Sequence, residues 1–134
     1  MRIMLDTNVL ISALLFPSMK MNSMIESILL RHRLILCSYV IEELVEVVKR
    51  KFPTKEKAIY DLLNGIKFEY IKTPDMQKKD LFKIRDVKDY PVLYSAIIGK
   101  TDILITGDKD FSDIIIEKPE ILSPSQFIMK YCSL

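Results

Sequence analysis

Short apolar runs alternate along the chain with segments in which apolar residues recur at helical spacing. The short runs predict buried strands, and the helical spacing predicts helices that pack by one face. The predicted strands are Arg2–Leu5, Leu34–Cys37, Glu69–Lys72, Ile103–Ile105 and Ile114–Ile116. The predicted helices are Val9–Leu15, Asn22–Arg33, a third that Ser38 caps and that reaches Lys51, Lys55–Ile66, Tyr90–Lys100 and Ser125–Tyr131.

This alternation of strands and helices predicts a parallel sheet that is covered on both faces. We therefore expect an α/β fold, a three-layer α/β/α sandwich around a parallel sheet of about five strands. A chain of 134 residues has the length of one domain, so residues 1–134 are expected to form a single domain. In such folds ligands bind beyond the carboxyl ends of the strands, so we expect the functional side chains at that edge of the sheet.

The composition predicts a globular, cytoplasmic protein, with 49% hydrophobic and 28% charged residues. No apolar run has the length of a membrane span, and Cys37 and Cys132 are too few for a disulfide framework. The net charge of +2 gives no general basic field, so contact with a nucleic acid must come from local patches. Two basic patches are available, the first formed by Arg31 and Arg33 and the second by Lys49, Arg50, Lys51, Lys55 and Lys57.

Acidic side chains follow two of the predicted strands. Asp6 comes directly after the first strand, and Asp108 and Asp110 come after the fourth. Asp89 opens the helix that leads into the fourth strand, which brings it to the same edge. Each acid has a simpler explanation, because Asp6, Asn8 or Asp89 can cap a helix and Asp108 and Asp110 can occupy a turn. Their delivery to one edge by separate segments nevertheless favours a functional cluster.

The third predicted helix adds a carboxylate. Glu42 and Glu46 lie away from its apolar stripe, whereas Glu43 has Val40 and Val47 as its neighbours along the helix. A carboxylate at an apolar border with no basic partner one turn away needs another source of compensation, and a metal ion would supply it. The alternative is that Glu43 reaches solvent past its valine neighbours.

Several of these segments resemble the PIN-domain family of metal-dependent ribonucleases, in particular the toxins of bacterial and archaeal toxin–antitoxin pairs (VapC-like). The segments are residues 3–9, 38–44, 85–89 with the downstream Ala96, 106–111, and 121–127, the last of which looks like the family's final strand–helix junction. They occur in the family's order and with family-like spacing, and they span essentially the whole chain.

The resemblance implies an endoribonuclease that uses Mg²⁺ or Mn²⁺. The implied catalytic residues are Asp6, Glu43, Asp89 and Asp108, and the implied metal ligands are the same residues with Asp110. Asp6 and Asp89 are the expected direct ligands, while Thr7, Asn8 and Thr106 are expected to position carboxylates or to contact the phosphate. Asp86 competes with Asp89 for the third acidic position, and Asp89 is preferred because its spacing to Ala96 fits the family's helix better.

The resemblance also implies an RNA substrate and an antitoxin protein as partner. The methionines of the first helices, Met19, Met21 and Met24, suit a core and also suit the interface of an expected homodimer. The single histidine, His32, argues against a histidine-based metal site, and the glycine pattern contains no phosphate-binding loop.

Two alternatives stay open. A phosphatase of the haloacid-dehalogenase kind would use Asp6 as nucleophile, but that chemistry needs a second aspartate two places later, where the chain has Asn8. A catalytically silent PIN-like binding module is the other alternative, and the presence of all four implied acids argues against it.

Overall fold

The computed structural model describes residues 1–78, 81–84, 87–111 and 113–132. The strands are β1 Arg2–Leu5, β2 Arg33–Cys37, β3 Glu69–Ile71, β4 Ile103–Ile105 and β5 Glu120–Leu122. The α-helices are α1 Thr7–Leu15, α2 Met19–Arg31, α3 Ser38–Lys51, α4 Glu56–Gly65, α5 Tyr90–Ile98 and α6 Pro124–Tyr131. The five strands form one parallel sheet in the order β3-β2-β1-β4-β5, and the helices flank it, which confirms the expected α/β sandwich.

The sheet forms the core because its central strands are apolar on both faces. Ile3, Met4 and Leu5 of β1 are fully buried, as are Leu104 and Ile105 of β4. Strand β1 pairs with β4 in a register that sets Leu5 beside Ile105. The carboxyl ends of these two strands therefore lie side by side, which is the edge where the sequence predicts a site.

The prediction of a strand at Ile114–Ile116 is wrong. These residues lie in a loop, where the side chain of Ile115 is 99% exposed. The fifth strand is Glu120–Leu122, whose backbone pairs with β4, at the place that the family resemblance indicated. An isoleucine-rich run has strong β propensity, but pairing with a neighbouring strand decides which segment joins the sheet.

The limits of the helices differ from the predicted ones by a few residues, and Ser38 is not an N-cap. Strand β2 leads directly into α3, Cys37 occupies the cap position, and the Ser38 hydroxyl instead accepts the backbone N–H of Thr73 at 2.9 Å. Helix α2 begins earlier than predicted because Ser18 caps it, accepting the N–H of Met21 at 3.2 Å.

In the described part of the chain, no helix has the length and apolar character needed to cross a membrane.

An ion-pair network joins three strands at the edge of the sheet where the strands begin, opposite the carboxyl ends. Arg2 and Arg33 lie side by side on β1 and β2, and the carboxylate of Glu69 on β3 pairs with both, at 2.6 and 3.1 Å. The Arg2 guanidinium also donates to the carbonyl of Gly99 at the end of α5. The hydrogen bonds from Arg2 and then from Arg33 lower the pKa of Glu69 to about 2.

We expect Glu69→Gln to weaken the dependence of stability on acidic pH. The folded pKa of about 2 lies below the ordinary value of 4.5, so the stabilisation is present above pH 4.5 and is lost as pH falls toward 2. Thermal unfolding between pH 7 and pH 2 measures this pH dependence. At pH 7 the melting temperature of the variant should be about 3 °C lower than that of the wild type. The control is Glu46→Gln, which removes an exposed pair to Arg50 on α3. Equal pH profiles for wild type and Glu69→Gln would contradict the assignment.

Candidate metal centre

The candidate site lies where β1 and β4 end. Asp6 follows β1 and occupies the N-cap position of α1, and its backbone N–H donates to the carbonyl of Ile105 at 3.0 Å. Beyond β4 the chain passes through Thr106 into a short 3-10 helix, Lys109–Phe111, which carries Asp110. The pairing of β1 with β4 therefore brings together two segments that are far apart in sequence.

Three of the predicted metal ligands form one acidic group. Asp89, Asp108 and Asp110 each offer a carboxylate oxygen, these oxygens lie within 4.8 Å of one another, and all three residues are half-buried. Oxygen ligands at this spacing, together with water, suit Mg²⁺ or Mn²⁺. Asp86, the competitor for the third position, lies outside the described residues.

Asp89 occupies the N-cap position of α5, but its side chain makes no hydrogen bond that caps the helix. The capping explanation of this acid is therefore wrong. A proline in the first turn instead suits the start of the helix, since proline lacks the backbone N–H that would go unpaired there. The carboxylate of Asp89 instead belongs to the acidic group with Asp108 and Asp110.

Asp6 is a buried carboxylate beside this group, with only 5% of its surface exposed. One of its oxygens accepts the Thr7 N–H at 2.7 Å, and the other accepts the Thr106 hydroxyl at 2.8 Å. Burial raises the pKa of Asp6, against these two hydrogen bonds, and the negative charges of Glu43 and Asp108 raise it further. Asp6 is not one of the three residues of the acidic group, so its predicted role as a direct ligand stays a prediction.

Glu43 lies on α3 near enough to Asp6 for the two charges to interact. It is half-buried, whereas Glu42 and Glu46 are exposed. Its charge acts on Asp6, which places both carboxylates in one electrostatic neighbourhood. A divalent cation there would relieve the repulsion among these groups.

Thr106 connects the two halves of the site. Its hydroxyl donates to Asp6 and accepts the backbone N–H of Asp108 at 3.1 Å, and Asp108 in turn accepts the N–H of Asp110 at 2.8 Å. One oxygen of the Asp108 carboxylate thus stabilises the turn, as the simpler explanation of this residue expects. The other oxygen is left for another role. Thr7 is buried, and its hydroxyl oxygen has no hydrogen-bond partner within the described residues. This polar atom beside Asp6 fits a site that is completed by an ion and its water.

Residues 2–110 match the PIN domain family. The chain belongs to that family. Members of the PIN-domain family are generally nucleases that hydrolyse phosphodiester bonds. No curated protein matches the chain.

The fold of this PIN domain is similar to that of a solved structure, VapBC2 from Rickettsia felis bound to a DNA fragment from their promoter. The match has a TM-score of 0.70 and 20% sequence identity, and it covers 92% of this chain and 98% of the other. At this identity the likeness supports the fold, and the chemistry must be argued from the side chains of the PIN domain itself.

The two basic patches do not lie at the acidic edge of this PIN domain. Arg33 begins β2, so it lies at the opposite edge of the sheet, where it pairs with Glu69. Lys49 and Arg50 lie in the last turn of α3, which starts at the carboxyl end of β2 and runs back along the sheet, and they pair with Glu56 and Glu46. The fold carries both patches away from the acidic group, which favours their interpretation as solvated surface, and contact of RNA with them stays a prediction.

Proposed function

We propose that this PIN domain is a cytoplasmic, metal-dependent endoribonuclease and the toxin component of a toxin–antitoxin pair. The observation that carries the proposal is the group of Asp89, Asp108 and Asp110, whose oxygens lie within 4.8 Å of one another beside the buried Asp6. Such a group is costly without a cation, because adjacent carboxylates repel each other. The acidic group is therefore suited to holding a cation beside a phosphate.

The residues of this group would hold Mg²⁺ or Mn²⁺, which lowers the pKa of bound water and neutralises charge on the phosphate when it is bound. Asp6 is fixed by Thr7 and Thr106 and completes the negative field from the β1 side. Glu43, on a separate helix, would accept a proton from the attacking water as general base, which its electrostatic interaction with Asp6 supports. The exposed Asn8 would donate hydrogen bonds at the edge of the site, and Thr106, whose hydroxyl proton goes to Asp6, would keep that carboxylate in position.

A protein partner fits an apolar groove on the surface formed by α1, α2 and α4. The groove has a volume of about 450 Å³, and its lining includes Ile25, Leu29, Leu30 and Leu62. Leu30 is 76% exposed, which is unfavourable for a large apolar side chain in water. This surface supports the proposal of an antitoxin, and the solved structure that the fold resembles is itself a complex named VapBC2.

We also propose that the chain forms a homodimer. Met24 is fully buried and therefore belongs to the core, whereas Met19 is 89% exposed on the same helix. Of the methionines expected at an interface, Met19 has the exposure that such a role requires.

The deciding experiment is incubation of the purified protein with a defined single-stranded RNA, with Mg²⁺, with Mn²⁺ and with a chelator. We expect internal cleavage with either ion and none with the chelator, because the acidic group needs a cation to act on a phosphate. A small phosphate ester serves as the second substrate. Turnover of the ester without RNA cleavage would favour the phosphatase, and metal binding without turnover of either substrate would favour a silent binding module.

A further inference from the structure

A cavity of about 750 Å³ opens directly beside the acidic group. Thr106 and Asp108 of the candidate site form one side of it, and β5 with the start of α6 forms the other. Its apolar wall includes the side chains of Phe111, Ile114 and Ile121. When one part of a ligand lies at the acidic group, the neighbouring part of the same ligand can therefore enter this cavity.

The charges around this cavity do not suit a phosphate. Among the described residues its lining carries one cation, Lys109, against the carboxylates of Asp108 and Glu117, while the carboxylate of Glu120 is already paired with Lys130 and Tyr131. A phosphate would be repelled by this excess of negative charge, whereas a neutral group would not be. A nucleobase is neutral and flat, and its faces are apolar enough to pack against isoleucine and phenylalanine side chains.

The polar side of the cavity is built to donate hydrogen bonds. Ser123 and Gln126 both line it, and they form a reciprocal cap at the start of α6. The Gln126 Oε1 atom accepts the Ser123 backbone N–H at 2.8 Å, which fixes the orientation of the amide and leaves its NH₂ group for a ligand. The Ser123 Oγ atom accepts the Gln126 N–H at 3.1 Å, and its own proton can also be donated.

We propose that this cavity binds one nucleobase of the RNA beside the cleaved phosphate and that Gln126 selects guanine. Guanine presents two adjacent acceptors, O6 and N7, on one edge, which match the adjacent donors of Gln126 and Ser123. Adenine presents a donor beside N7 on the same edge, where it would face the donors of the cavity, so it pairs less well than guanine. This inference rests on the proposed function and adds a base preference to it.

The test is Gln126→Glu, which keeps the capping oxygen and therefore the start of α6 but replaces the donors with a carboxylate. Gln77→Glu is the matched control, because it makes the same charge change at a residue whose side chain bonds to the Pro74 carbonyl, away from the cavity. Binding is measured in an Asp89→Asn background, in which cleavage is expected to be at least about a hundredfold slower. Short single-stranded RNAs that differ only in carrying guanine or adenine at one position are the probes.

We expect about tenfold tighter binding of the guanine-containing RNA by the Asp89→Asn protein, and loss of this preference with Gln126→Glu added but not with Gln77→Glu added. Cleavage maps of proteins with an intact Asp89 should show the same change in the base next to the cut.

Two outcomes overturn the base-binding inference. The first is equal binding of the two RNAs by the parent, and the second is an equal loss of preference in both glutamate variants. RNA cleavage without base preference would contradict this inference alone. Base-dependent binding without cleavage by the wild-type protein would contradict the proposed activity alone.

Discussion

The Asp89→Asn substitution is expected to lower RNA cleavage by roughly a hundredfold or more, because it removes one of the three carboxylates that lie within 4.8 Å of one another. Asp89 is the most informative position in this group. Its side chain does not cap α5, whereas the Asp108 carboxylate also accepts the N–H of Asp110 and so holds its own loop. Loss of activity in Asp89→Asn would therefore not be explained by loss of a side-chain cap on α5.

The rate of cleavage of a defined RNA at saturating Mn²⁺ measures the effect of Asp89→Asn, and thermal unfolding without metal verifies that the fold is intact. The matched control is Asp61→Asn, an exposed aspartate on α4. Cleavage by Asp89→Asn at the wild-type rate would remove Asp89 from the site and would direct attention to Asp86.

The Asp6→Asn substitution is expected to raise the melting temperature of the metal-free protein by about 3 °C and to remove most of the gain that Mg²⁺ or Mn²⁺ gives the wild type. Burial raises the pKa of Asp6 above its ordinary value of 3.8, so the folded state holds this proton more tightly than the unfolded state does. The stabilisation that follows is complete below pH 3.8 and is lost as pH rises through the folded pKa. A neutral asparagine avoids that loss, and it also removes charge that a cation needs.

Thermal unfolding of wild type and Asp6→Asn from pH 4 to pH 8, with and without metal, measures both effects of the substitution. The difference in melting temperature between the two metal-free proteins should grow in favour of the variant as pH rises. A variant that is stabilised by metal as strongly as the wild type would show that Asp6 contributes nothing to ion binding.

The position of the site could be predicted from the sequence because apolar strands and their carboxyl ends are local features. Asp6 follows β1 and Asp108 follows β4, and a parallel sheet must bring such residues to one edge. The periodicity of α3 likewise distinguished Glu43 from its exposed neighbours. The prediction of a strand at Ile114–Ile116 failed because a segment joins a sheet by pairing its backbone with a neighbouring strand, and composition does not reveal that partner.

Other parts of the site depend on distances that no sequence pattern contains. The sequence does not reveal that carboxylate oxygens of Asp89, Asp108 and Asp110 lie within 4.8 Å of one another, or that Thr7 and Thr106 hydrogen-bond to Asp6 beside them. The basic patches follow from charge counts, but only the direction of β2 and α3 shows that they point away from the acids. Ser123 and Gln126 form a visible capping motif, yet their place in a cavity depends on the loop before β5.

The hydrogen bond between Thr106 and Asp6 joins residues that are 100 positions apart, and it has a consequence for synthesis. A ribosome delivers Asp6 early, but Asp108 and Asp110 emerge only when most of the chain has been translated. Under the proposed function, an incomplete nascent chain therefore lacks the assembled centre and is inactive until the carboxylates of both segments are present.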